Sequence, residues 1–157
     1  MIDVLTALEG SAFSTWLRES TSIWAYPTVL TLHTVGLAML VGLNAAIDLR
    51  VLGFGSGIDP GWLKKLFPAM WIGFWVNFVT GAMLFATDPI VKGMTAIFVF
   101  KLGLVVVGVG LIVMLRRKMY EGSRPAGLIT PAAKALAVLS LIVWLTALAA
   151  GRFMAYV

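Results

Sequence analysis

The sequence predicts an all-α integral membrane protein, a four-helix bundle with an N-terminal amphipathic helix at the membrane interface. Three observations predict it. Of the 157 residues, 61% are apolar and the mean hydropathy is +0.99, where a soluble domain is nearer half apolar. The apolar residues fall in four runs of about 20 to 25 residues, each enough to cross about 30 Å of hydrocarbon. Short segments rich in glycine, proline or charge separate the runs. Residues 1–157 read as a single membrane domain. The absence of cysteine excludes disulfides, iron–sulfur clusters and thiolate metal sites. The net charge of +5 is scattered over short loops, which argues against nucleic acid and for charges that set orientation.

Residues 2–19 do not read as a signal peptide, because Asp3 and Glu9 interrupt the apolar stretch and no basic region precedes it. Ile2, Leu5, Leu8, Ala12, Phe13 and Trp16 share one helical face, with Asp3, Thr6, Ser14 and Arg18 elsewhere, as expected of an interfacial helix. The first span is expected at residues 23–47, capped by Ser20, Thr21 or Ser22, with Pro27 in its first turn and Trp24 and Tyr26 at the lipid–water boundary. The stretch LGFGSGIDPGW is a loop, and Asp59-Pro60 starts a short helix carrying Lys64 and Lys65. The second span covers residues 66–86 and ends at Asp88-Pro89. The third covers 94–115 and stops at Arg116, Arg117 and Lys118. EGSRPAGLITP is a second loop, and Thr130-Pro131 opens a fourth span over 132–155.

The basic residues are asymmetric. Arg50, Lys64, Lys65, Arg116, Arg117, Lys118, Arg124 and Lys134 lie in or beside the two long loops. Arg18, Lys92, Lys101 and Arg152 belong to the opposite side. The positive-inside rule then puts both loops in the cytoplasm and both termini in the periplasm of a bacterial inner membrane.

Ionisable and amide groups within spans mark candidate sites. At about 100° per residue, Tyr26, His33 and Asn44 form one stripe on the first span. His33 is the only histidine of the chain. Gly36, one turn beyond it, removes side-chain bulk beside the imidazole, and together with Ala38 and Gly42 also suits close helix packing. Asn77 shares a face of the second span with Gly73, Gly81 and Asp88, where an amide can serve as a bond between helices. Lys101 lies about 10 Å into the third span and His33 about 15 Å into the first, at similar depth in the outer half. Arg152, near the outer surface of the fourth span, adds a second cation, although both long cations can also snorkel to the interface.

Imidazole is the usual protein ligand to haem iron. His33 as axial ligand to a b-type haem, Gly36 as space beside it, Lys101 and Arg152 as cations for its propionates, and Tyr26 and Asn77 as polar neighbours make one candidate site. One histidine leaves the second axial position to a methionine, a neutral lysine, no ligand at all, or His33 of a second copy at a two-fold axis. Copper is an alternative, since thioethers and imidazole suit Cu(I) and Met83, Met94 and Met154 fall near outer span ends. A quinone is another. A fourth reading has His33 locking the bundle of a non-catalytic accessory subunit that packs in a homo-oligomer or larger membrane complex. No paired carboxylates, nucleophile elbow, HExxH or phosphate loop points to catalysis by the chain itself.

The stretches LTLHTVGLAMLVG, DLRVLG and FKLGLVVVG resemble those of small bacterial four-helix membrane proteins. More loosely, they resemble the copper-resistance-D and cytochrome b561-like bundles. There, a histidine on an early span is followed by a small residue and an apolar run. The resemblance implies a four-helix bundle, a haem or redox role in electron transfer, and His33 as the ligand. The further histidines of haem-binding cytochromes are absent from this chain.

Overall fold

The computed structural model describes residues 2–120, 129–154 and 156. The described residues are all-helical. Eight helices follow in order: α1 (Ile2–Glu9), α2 (Ala12–Glu19), α3 (Tyr26–Leu52), α4 (Pro60–Leu63), α5 (Leu66–Ala86), α6 (Pro89–Met94), α7 (Ala96–Tyr120) and α8 (Pro131–Phe153). Four of them, α3, α5, α7 and α8, are long and apolar enough to cross a membrane. The second loop lies largely outside the described residues, and Arg124 with it.

The long helices begin and end where backbone chemistry allows. Pro27 occupies the first turn of α3, where its missing N–H costs no bond. The start has no side-chain cap. The serines expected to cap it instead tighten the preceding turn, Ser20 accepting from Ser22 N and Ser22 from Trp24 N. At its far end α3 runs five residues past the expected boundary, to Leu52. Gly53 stops it in the left-handed region at φ 113°, where a side chain would be strained. Asp59 caps α4 by accepting from Gly61 N. Thr130 caps α8 by accepting from Ala133 N at 3.2 Å, ahead of Pro131.

α3 is the central helix. It packs along α5 on one side and α8 on the other, and α7 packs along α8. α5 and α7 meet through aromatic pairs at their ends. Phe67 lies edge-on to Tyr120 at 6.0 Å, and Phe85 stacks on Phe98 at 5.0 Å. The buried positions of α8 are Ala133, Ala137, Ser140, Val143, Trp144, Ala147 and Ala150, and those of α3 include Gly36, Leu40, Asn44, Ile47 and Val51. Both recur mostly in steps of three or four, which puts them on one face of each helix as helix packing requires. The outward faces are apolar as well, with Ile72, Trp75, Phe78, Val99, Val106, Ile142 and Leu145 exposed. Lipid, not water, suits such a surface.

The N-terminal segment forms two helices, not one, broken at Gly10-Ser11. Ser11 caps the second by accepting from Ser14 N. Ser14 and Leu17 are the buried positions, and Phe13 and Trp16 face outward. Ser14 Oγ donates to Ala86 O at 2.6 Å, and Arg18 donates to Thr87 O. The reason is that α5 ends in carbonyls that no further helical turn can satisfy, so a polar face docks there. Leu17 packs with Ala25 and Val29, against Met83 and Leu84. α1 covers α6, with Leu5 against Gly93. Together these elements close the end of the bundle that carries the chain termini, the terminal end. The α3–α4 loop marks the other, the loop end.

Candidate functional site

The site starts from a contact between two glycines. A Cβ on Gly36 would lie 2.7 Å from Asn77 N and 2.9 Å from Gly73 O. One on Gly73 would lie 2.7 Å from Met39 Cβ and 2.9 Å from Gly36 O. Both distances are too short for any side chain, so the α3 and α5 backbones touch here. The space beside Gly36 is therefore filled by α5.

One turn toward the terminal end, this approach puts His33 against α5. Its Nδ1 lies 3.0 Å from Asn77 O and 3.1 Å from Thr80 Oγ1. Asn77 O can only accept. Thr80 directs its hydroxyl proton at Val76 O, 2.6 Å away, so toward the imidazole it too accepts. Nδ1 therefore carries the ring proton, and Nε2 carries a lone pair. The Asn77 amide nitrogen lies 3.3 and 3.4 Å from the two ring nitrogens, nearly equidistant and so along neither lone pair. Its directed bond, at 2.9 Å, goes to His33 O. Gly81 borders the ring, where a Cβ would come within 3.1 Å of Cε1. The imidazole is half-buried.

Lys101 of α7 lies within electrostatic reach of His33. Its stem rests on Gly151 of α8, with Nζ 3.4 Å from where a Cβ would be. It has no hydrogen-bond or ion-pair partner among the described residues. His33, Asn77 and Lys101 are thus brought together. Tyr26 is not: it is exposed, about 10 Å further along α3. Arg152 is exposed at the terminal end, its guanidinium 5.6 Å from the ring centre of Tyr156. Thr80 and Gly81 complete the surroundings of the imidazole. Thr80 was legible only as the residue three after Asn77, on the same helical face.

An imidazole that donates Nδ1–H to a backbone carbonyl and presents Nε2 is the arrangement found in metal-ligating histidines. The ring therefore fits the demand for one axial nitrogen to haem. Among the described residues no group of three His, Cys, Asp or Glu stands together as a site for a bare metal ion. Of the three methionines considered for copper, Met83 packs with the Leu17–Ala25–Val29 cluster and Met94 is exposed. A surface groove beside Ile23, Pro27, Thr28, Thr31 and Leu32 offers no second centre. Its hydroxyls, Thr28 and Thr31, are bonded to Ile23 O and Pro27 O of their own chain segment.

A second polar cluster lies toward the loop end, between α3 and α8. Asn44 Nδ2 donates to Asp48 Oδ2 at 2.7 Å and to Ser140 Oγ at 2.8 Å. All three residues are buried, Asp48 completely. Asn44 was legible as an intramembrane amide. Asp48 was not, because the first span was expected to end at residue 47. Its signal is the four-residue spacing from Asn44, which puts both on one face.

Compared with protein-family models, with curated proteins and with solved structures, the chain gives no match.

Proposed function

We propose that the chain is a multi-pass protein of the bacterial inner membrane, with both termini periplasmic, that binds a b-type haem near the periplasmic side for electron transfer. The observation that carries this reading is the pair of acceptors at His33 Nδ1, Asn77 O and Thr80 Oγ1, which places the ring proton there and leaves Nε2 as a ligand. His33 would hold the iron, and Lys101, unpartnered among the described residues and close by, would supply a cation for a propionate. The haem, when bound, supplies one-electron redox chemistry. Asn77 and Thr80 hold the ring in one tautomer, and α5 behind it keeps water from Nδ1. A second copy giving its own His33 across a two-fold axis would complete the ligand set. The asymmetry of Lys and Arg supports the orientation.

A second reading has its own support. The imidazole donates to Asn77 O while the Asn77 amide donates to His33 O, a reciprocal pair beside the glycine crossing. In a non-catalytic accessory subunit that pair locks α3 to α5 and needs no ligand. A reduced-minus-oxidised visible spectrum of detergent-purified protein, produced with ample haem, separates the two. A Soret band lost or shifted in His33→Ala supports haem ligation, and a sharp α band on reduction supports the shared, six-coordinate form. A spectrally silent protein whose His33→Ala variant is only less stable overturns the cytochrome reading in favour of the structural one.

A further inference from the structure

We propose that Asp48, held by Asn44 and facing Ser140, forms a proton-binding site in the loop-end half of the bundle. Asp48 is 0% exposed. One carboxyl oxygen, Oδ2, accepts from Asn44 Nδ2. The other amide hydrogen of Asn44 goes to Ser140 Oγ. With both hydrogens of the amide spent, Asp48 Oδ1 is buried without a hydrogen-bond partner.

Among the described residues no charge compensates the carboxyl. Asp48 has no ion-pair partner among the described residues. Arg50, two residues on, turns away to the loop, donating from Nε to Ile58 O and from Nη2 to Ser56 O. Arg116 of α7 lies 5.8 Å over the Phe67 ring. Lys64 and Lys65, before α5, Lys118 of α7 and Lys134 of α8 are exposed. From α8 the polar group that faces Asp48 is Ser140. The rest of this half is apolar, built on Leu40, Ile47, Val51, Phe67, Ile112 and Leu115. An ionised carboxylate is costly in such surroundings unless something neutralises it.

The donor set decides what does. An alkali or divalent cation needs several oxygen ligands at once. Here Asn44 presents its N–H groups to the cluster and one carboxyl oxygen is free, which suits a single proton. Asp48 lies toward the loop end, where Gly53 ends α3 about 8 Å further along its axis. His33 lies about 23 Å away in the other direction, so this site is separate from the one built on the imidazole.

Infrared spectra of the full-length protein in lipid discs test the proposal. At neutral pH the wild type is expected to show a carboxylic-acid C=O band that is lost in Asp48→Asn and displaced in Ser140→Ala. Asp48→Asn keeps the volume and hydrogen-bonding capacity, so it is expected to elute and melt as the wild type does. Should it not fold, wild-type protein carrying isotope-labelled aspartate reads the same band, which must then shift. A wild-type spectrum whose carboxylic-acid region is unchanged by Asp48→Asn, or by labelling, overturns the proposal. So does thermal stabilisation by sodium or lithium that depends on Asp48, which would assign a cation site instead.

Discussion

The two halves of α3 solve the same problem in opposite ways. Toward the terminal end, α3 meets α5 through backbone contact at Gly36 and Gly73, and the polar groups beside that contact satisfy one another. Toward the loop end, α3 meets α8 through Asn44 and Ser140, and one carboxyl oxygen is left over. In lipid there is little hydrophobic force between helices, so close packing and interhelical hydrogen bonds must hold them. The first half uses both. The second buries a chargeable group where simple packing would have sufficed. Each half leaves one atom over, the Nε2 lone pair of His33 in the first and Oδ1 of Asp48 in the second, and a chemical role is proposed at each.

The largest expected effect breaks the first half. Gly36→Leu drives a side chain into Asn77 N and Gly73 O, backbone atoms that cannot yield without separating the helices. Overpacking of this kind costs about 3 kcal/mol, and the glycine crossing should be lost. Monodisperse yield and thermal unfolding in detergent would register it. Gly42→Ala, on the same helix with nothing within 4 Å of its Cβ, should change stability by less than about 0.5 kcal/mol. Equal loss in both variants would mean that the crossing is not what holds α3 to α5.

The second half should be broken next most severely by Asn44→Ala. That change removes the donor to Asp48 Oδ2, leaving both carboxyl oxygens unpartnered and Ser140 without its amide. A buried polar group stripped of its partner costs about 1–3 kcal/mol. Asn77→Ala, the matching change in the first half, removes the bond to His33 O but leaves the imidazole its acceptors, Asn77 O and Thr80 Oγ1. Single interhelical bonds in bilayers contribute about 1 kcal/mol, so its loss should be smaller. Thermal scans of the two variants side by side would rank them, and the reverse order would remove the distinction between a satisfied and an unsatisfied cluster.

These two halves were not equally legible in sequence. Four apolar runs between breakers give four spans, because length and hydropathy alone decide whether a helix can cross lipid. His33 and Asn77 stood out as polar residues inside runs, and their depth along each helix follows from its fixed rise. What could not be read was which faces meet. Both sides of each span are apolar, so periodicity carries no inward direction, and the glycine crossing appears only once α3 and α5 are docked. Asp48 was missed by a boundary error of one turn. A helix end read from hydropathy stops at the first charge, whereas the chain continues to the glycine that can take a left-handed conformation. The apolar face of the N-terminal segment was legible, but not that the bare carbonyls of Ala86 and Thr87 hold the polar face of α2 against the bundle.

Lys92 sharpens the contrast with Asp48, and carries the smallest expected effect. It lies in α6, outside the spans, and its ammonium donates to Leu84 O and to Thr87 Oγ1. Burial lowers its pKa below the ordinary 10.5, with the charge of Asp88 opposing the shift. The folded chain then binds less proton at this site than the unfolded chain between the lowered value and 10.5. Stability at this site therefore rises with pH across that window and is lost as pH falls through the lowered value. Lys92→Met removes the titration, so the wild type should gain on the variant as pH climbs toward 10.5. The gain should be slight, since the group is half-exposed and solvent screens it. Paired thermal scans at rising alkaline pH measure the difference. A constant offset between the two proteins would show that the carbonyl cradle compensates the buried ammonium fully, as nothing does for the carboxyl of Asp48.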